Sequence, residues 1–189
     1  MKKIVGFLIL TFCMLALLSA VASAQASMGM GAGIYTGSET VTVGTLSTWI
    51  IRIDISTAPE VGNDIKDVVV QGGIGADLVV TKVNDESVTP LPLKKGDTFS
   101  TSSGDVTLTK KGGKMGATIV TWDIGDLDAG DEATLYLTVQ TGLNPPGKQE
   151  FTSTGTHELD GGFSATYWFE GTEYESVPTD PIIVEAIEE

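Results

Sequence analysis

The 189-residue chain is acidic, with 25 Asp and Glu against 11 Lys and Arg, and it holds one cysteine and one histidine. A surface this negative excludes a nucleic-acid or anionic-lipid partner held by charge. One cysteine and one histidine leave no disulfide and no zinc site of three or four thiolate or imidazole ligands.

The first element is MKKIVGFLILTFCMLALLSAVASA, a basic start, an apolar run and a small-x-small end at Ala22-Ser23-Ala24. That is the pattern of a secretory signal peptide, expected over residues 1–24 and cleaved after Ala24. An uncleaved anchor is the alternative, because the apolar run approaches the roughly 20 residues that span a bilayer. Cys13 follows Phe12, where a lipoprotein signal would need a small residue. Removing Lys2 and Lys3 from the 11 basic residues leaves 9 against 25 acidic ones, a net charge of −16, and the mature part has no cysteine. An exported domain without disulfides must be held by its core alone, for which about 165 residues suffice. No second long apolar segment follows, so no membrane span is expected after cleavage.

Residues 25–37 are glycine-rich and small, and read as a flexible arm. In an extended chain Met28, Met30 and Ile34 would share one face, which makes them candidates for an assembly contact with a neighbouring subunit or with the chain's own sheet edge.

From there to residue 187 the chain alternates with period two, in short runs rich in Val, Ile, Thr and aromatics. In LSTWIIRIDIS, Trp49, Ile51, Ile53 and Ile55 fall on one face. In GATIVTWDI the inward set is Val120, Trp122 and Ile124, and in EATLYLTV it is Ala133, Leu135, Leu137 and Val139. One buried and one solvated face marks antiparallel sheets packed as a sandwich. Hairpin turns are expected at Gly112-Gly113, at Asp160-Gly161-Gly162 and at Gly171-Thr172. PIIVEAI reads as a last strand, with Pro181 at its start. The sum is one all-β domain over 38–187, with eight to ten strands and no helix.

Five carboxylates crowd between Asp123 and Glu132. Asp123, Asp126, Asp128 and Asp131 are the candidate calcium ligands, being hard oxygen donors. Their spacing misses the calcium-loop pattern, with its glycine at the sixth position and glutamate at the twelfth. A solvated strand connection accounts for every residue: Leu127 plugs the sandwich end and Ala129-Gly130 turns the chain. No cofactor is therefore expected, calcium being the alternative. His157 stands on a strand between Thr156 and Glu158, and the sequence picks out no Ser-His-Asp partner set for it. Abundant carboxylates cannot single out a glycosidase pair. Tyr167, Trp168, Phe169 and Tyr174 could offer a sugar platform, but alternation buries either Tyr167 and Phe169 or Trp168. The chain is expected not to be an enzyme.

The run WDIGDLDAGDEATLYLTV resembles the conserved-repeat Ig-like domain of unknown function found in archaeal and bacterial cell-surface proteins. Trp122, Ile124, Gly125, Leu127, Gly130 and Ala133 match its strand-turn-strand pattern, while Asp131 stands where the family has glutamate. VTVGTLSTWIIRIDIS is similar to its opening strands and IKDVVVQGGIGADLVVTKV to its Val-rich middle. NPPGKQEFTSTGTHELDGG resembles an extension of some members. STAPEVGND replaces the family's Asn-x-Gly. The resemblance covers roughly residues 38–187 and implies an Ig-like sandwich with a structural or adhesive role and no catalytic residues. The expected function is thus a non-catalytic, exported, cell-surface structural protein, a subunit of a fibre, sheath or matrix built through edge-strand contacts. Its partners would be other copies of itself or other cell-surface proteins. The alternative is an extracellular carbohydrate- or calcium-binding adhesion module.

Sequencing the N-terminus of exported material should give Gln25 as the first residue. A secreted chain retaining residues 1–24 would refute the cleavage site.

Overall fold

The computed structural model describes residues 28–59, 62–89, 91, 96–111, 117–141 and 151–189. The leader, the Gly112-Gly113 turn and the stretch 142–150 lie outside them.

Where the sequence suggests eight to ten strands, fourteen form among the described residues, several of them very short. In chain order they are β1 (Met28–Thr36), β2 (Thr40–Thr42), β3 (Thr48–Thr57), β4 (Ile65–Ile74), β5 (Leu78–Val83), β6 (Glu86–Ser87) and β7 (Asp97–Thr101). There follow β8 (Gly104–Lys110), β9 (Thr118–Leu127), β10 (Glu132–Thr141), β11 (Gly155–Glu158), β12 (Asp160–Phe169), β13 (Thr172–Glu175) and β14 (Ile183–Ile187). One sheet has the order β1-β3-β10-β5-β6, a second β13-β12-β4-β9-β8-β7, and a small third β11-β14-β2. The pairing is antiparallel except between β14 and β2, which run parallel.

Alternation explains why the two larger sheets meet. Trp49, Ile51, Ile53 and Ile55 of β3 and Ala133, Leu135, Leu137 and Val139 of β10 are all buried. So are Val68, Val70 and Ile74 of β4, and Val120 and Trp122 of β9. All join one hydrophobic core, with Ile124 half-buried at its margin. The outward neighbours are mostly polar, with Ile50, Val69 and Ile119 half-buried among them, so the sheets bury one face and largely solvate the other.

Three features depart from the expectation. Residues 28–36, read as part of a flexible arm that could seat on a neighbour or on the chain's own sheet edge, form a nine-residue strand on that edge, paired to β3, with Met28 opposite Thr57 and Met30 opposite Ile55. A side chain on every second residue suffices to seat a strand on an edge, and Met28, Met30 and Ile34 supply it by packing on the core. Asp160-Gly161-Gly162 is no hairpin turn. It opens β12, at the point where the chain leaves the third sheet for the second. Gly162 has φ of +86°, and the register slips between Asp160 and Phe163, so the glycines serve as a bulge that changes sheets. The next turn falls on Glu170-Gly171, both at positive φ, rather than on Gly171-Thr172. Phe169 pairs directly with Thr172, the two-residue hairpin that such dihedrals favour.

Trp122 is fully buried, and its indole N–H donates to the Ser103 carbonyl at 2.8 Å. Truncating Trp122 to alanine should cost about 3–5 kcal/mol, the usual range for an aromatic lost from a packed core. Denaturant titration of the variant checks this, and an unchanged midpoint would contradict the packing.

Candidate functional site

The acidic connection between β9 and β10 is organised from below by a hydroxyl. Thr57, buried at the end of β3, donates through Oγ1 to the Asp128 carbonyl at 2.6 Å. The same oxygen accepts from the Gly130 and Asp131 amides at 2.9 and 3.0 Å. Asp64 accepts from the Ala129 amide, Asp126 from the Asp67 amide, and Asp131 from the Asp128 amide. Asp123, Asp126, Asp128 and Asp131 are exposed, and Leu127 is buried beneath them. Three of the four calcium candidates thus border this turn. Asp131 accepts from one of its amides, Asp126 reaches across to β4, and Asp123 stands on the outward face of β9. Among the described residues, no three His, Cys, Asp or Glu side chains gather closely enough to hold a metal ion. Thr57 and Asp64 escaped the sequence reading because both lie more than 60 residues from the turn they hold.

A second place is the sheet-changing corner. Asp160 is 1% exposed, and its Oδ1 accepts from the Gly162 and Ile182 amides, both at 3.0 Å. Its Oδ2 has no hydrogen-bond partner. Burial raises the pKa of this carboxyl, the two amide hydrogen bonds oppose the rise, and the charge of Glu158 adds to it. Asp160 borders a 360 Å³ cleft together with Gly75, Asp77, Phe151, His157 and Glu158. His157 is not poised for catalysis there. Its ring stacks on Phe151 at 4.0 Å, and its Nε2 lies 3.0 Å from the Ser153 carbonyl.

The aromatic hairpin resolves as one of the two alternations. Tyr167 and Phe169 are buried, while Trp168 is 42% exposed; Tyr167 stacks on Tyr174 at 5.7 Å. No aromatic platform forms there, since three of the four rings pack on one another or on the core.

A third place, on the outer face of the five-stranded sheet, went unnoticed in the sequence. Tyr35 of β1 and Tyr136 of β10 meet edge to face, with ring centroids 5.2 Å apart. They border a 390 Å³ groove with Ile50, Lys82, Asn84, Asp85 and Thr138. Asn84 fixes one wall: its amide donates to the Tyr136 carbonyl at 2.7 Å, and its Oδ1 accepts from the Tyr136 amide at 2.9 Å. The signal available was Tyr136 itself, an aromatic on the solvent side between inward Leu135 and Leu137. Tyr35 joins it only through the order β1-β3-β10, which the sequence does not display.

No sequence family and no curated protein matches the chain. Among solved structures, a variant of BcpA, the major pilin subunit of Bacillus cereus, is similar over 86% of this chain and 40% of that one, at 15% identity and a TM-score of 0.44. A GH20 exo-beta-N-acetylglucosaminidase from Vibrio harveyi is matched over 86% of this chain but only 19% of its own, at 10% identity and a TM-score of 0.40. A biomass-sensing module of an Rsgi2 protein from Clostridium thermocellum, which resembles a family 3 carbohydrate-binding module, is matched over 97% of its length at 13% identity and a TM-score of 0.31. The chain thus spans less than half of the pilin and about a fifth of the glycosidase. Likenesses at these scores assign no activity. Among the described residues, no helix is long and apolar enough to cross a membrane.

Asp160 generates a test of pH dependence. The folded state holds its proton more tightly than the unfolded chain does. Its contribution to stability is therefore full below the unfolded carboxyl pKa of about 4, and it is lost as pH rises through the elevated folded value. Asp160→Asn keeps an acceptor for both amides and should flatten the stability difference between pH 4 and 7. Asp160→Ala should cost about 1–3 kcal/mol for each amide left without an acceptor. Urea melts of both variants across that pH range check the pair, and parallel pH profiles for Asp160→Asn and the parent would contradict the raised pKa.

Proposed function

We propose that this chain is an exported, non-catalytic subunit of a cell-surface fibre, sheath or matrix. It is an Ig-like sandwich that assembles through edge-strand contacts with copies of itself or with other surface proteins. The observation that carries this reading is the state of the sheet edges. An exposed strand edge offers unpaired amides and carbonyls to any passing chain, and monomeric proteins blunt such edges with brevity, charge or proline. Here β6 has two residues and a glutamate, β13 four residues and two glutamates, β7 five residues and an aspartate, β11 four and a glutamate, and β2 three. β1 has nine residues, MGMGAGIYT, with no charge and no proline.

Its glycines sharpen the point. A Cβ added at Gly31 or Gly33 would meet nothing within 4 Å, and neither residue has a positive φ. Neither the turn geometry nor the packing of this chain demands glycine there, although glycine weakens a strand by roughly 0.5–1 kcal/mol. Glycine in a strand often marks a place where another backbone comes close. Met28, Met30 and Ile34 hold β1 to its own core in this arrangement, so the free partner-seeking element is the strand's outer backbone edge rather than those side chains. The acidic remainder of the surface keeps other faces apart. No residue set for catalysis gathers at the acidic turn or at His157, and no nucleic-acid surface is expected from the charge.

Lysine at 31 and glutamate at 33 would stand opposite Asp54 and Arg52 on β3, cross-strand pairs of opposite sign that leave the fold intact. The mature protein should form filaments or higher oligomers in negative stain and by sedimentation, and Gly31→Lys/Gly33→Glu should remain monomeric with a melting temperature no lower than the parent's. Assembly by the variant equal to the parent's, or a parent that stays monomeric at high concentration and does not adhere to cell surfaces, would overturn the reading.

A further inference from the structure

We propose that the groove between Tyr35 and Tyr136 binds an uncharged saccharide chain, a role that goes beyond assembly and does not depend on it. The argument starts from what the groove offers. A sugar ring has an apolar face of C–H groups and a rim of hydroxyls, each both donor and acceptor. It is held where an aromatic ring lies open beside polar groups of both kinds. Tyr35 is 60% exposed, against 42% for Trp168. Tyr136 meets it at an interplanar angle of 61°, so the two rings form a floor and a wall rather than a closed stack. The polar fringe is Lys82, a donor, Asp85, an acceptor, and the Thr138 hydroxyl, which serves as either. At 390 Å³ the groove falls in the roughly 300–1,000 Å³ range of small-ligand sites.

Charge selects the ligand class. The chain carries a net charge of −14, yet the groove holds one cation, Lys82, and one anion, Asp85. One charged pair on the same face also cancels: Arg52, opposite Tyr136 in the register, pairs with Asp54 at 2.8 Å, and Asp54 also accepts from Thr134 at 2.8 Å. A site for an anion would show surplus cations and a site for a cation surplus carboxylates. A locally neutral aromatic groove on a strongly acidic protein suits a neutral polyol.

The groove is also built rather than accidental. Asn84 adopts φ of +48°, turning β5 into β6 within two residues while its side chain and amide clamp the Tyr136 backbone. That brings Asp85 and Lys82 beside the ring. On the other side, the register irregularity between Ile34 and Thr36 leaves Tyr35 without a partner on β3. A bulge of this kind re-aims a side chain.

Cellohexaose and N-acetylchitohexaose serve as neutral probes and an oligogalacturonate as the anionic control, titrated into the mature protein and followed by calorimetry and tyrosine-ring NMR shifts. The expected result is binding of at least one neutral probe in preference to the anionic one. Affinity should weaken at least tenfold in Tyr35→Ala and in Tyr136→Ala and persist in Tyr35→Phe. Tyr35 is largely exposed, so Tyr35→Ala tests the groove even if the half-buried Tyr136 proves necessary for folding. Binding should survive in Gly31→Lys/Gly33→Glu, which separates this site from edge assembly. No binding of either neutral probe, preference for the anionic chain, or affinity unchanged by Tyr35→Ala would overturn the proposal. So would a Tyr35→Ala variant that loses self-association while no sugar binds, since the groove would then belong to a protein contact.

Discussion

Trp49 ties together parts of the chain that otherwise share little. Its indole is buried in the core, its N–H donates to the Ser38 carbonyl at 2.7 Å, and its ring lies 6.0 Å from Phe151. The first contact fixes the register of β3, the second the chain between β1 and β2, and the third the segment leading to β11. A strand whose side chains alternate cannot slip by one residue without turning Ile51, Ile53 and Ile55 to water. An indole with its polar atom satisfied at one depth forbids that slip. Gly37, beside the same ring, has φ of +128°, and a Cβ there would collide with Trp49. The sharp exit from β1 is thus shaped around the tryptophan, and the position of β1 on the edge follows from it.

Trp122 repeats the device on the opposite sheet, with the Ser103 carbonyl as its acceptor. Two large aromatics, each anchored to a loop at one end, let a domain without disulfides hold its sheets in one relative register. The polar ties are few and buried. Thr57 holds the β9–β10 turn and Asp160 the corner where the chain changes sheets, and each gathers two backbone amides onto one side-chain oxygen. Such hubs matter more than their number suggests, because a buried amide that loses its acceptor costs more than a surface ion pair supplies.

The strand core was legible from period two alone, since every inward residue assigned on β3 and β10 is buried. The place of the acidic run was legible too, as the connection between two strands, β9 and β10. What escaped was whatever depends on non-local pairing. The glycines of β1 suggest looseness when read in sequence, but three apolar side chains at alternate positions are enough to seat the strand once β3 is present to receive it. Asp160-Gly161-Gly162 has the composition of a hairpin turn, and composition does not distinguish a turn within one sheet from a bulge between two. Tyr35 and Tyr136 are 101 positions apart and meet only across β3. Asp160 is one aspartate among many until the corner closes around it.

Edge and groove share a strand yet use perpendicular directions. A partner chain adding to β1 would engage backbone groups in the plane of the sheet, whereas a saccharide on Tyr35 would approach along the sheet normal. The glycines between Met28 and Ile34 leave the outer face of β1 almost bare, so neither contact would crowd the other. In an array grown by edge addition, each new subunit would carry its tyrosine groove on the same side of a lengthening sheet. A ligand chain lying across that side could then touch several grooves in turn, and weak single-site affinity would be multiplied by the high effective concentration of the next site.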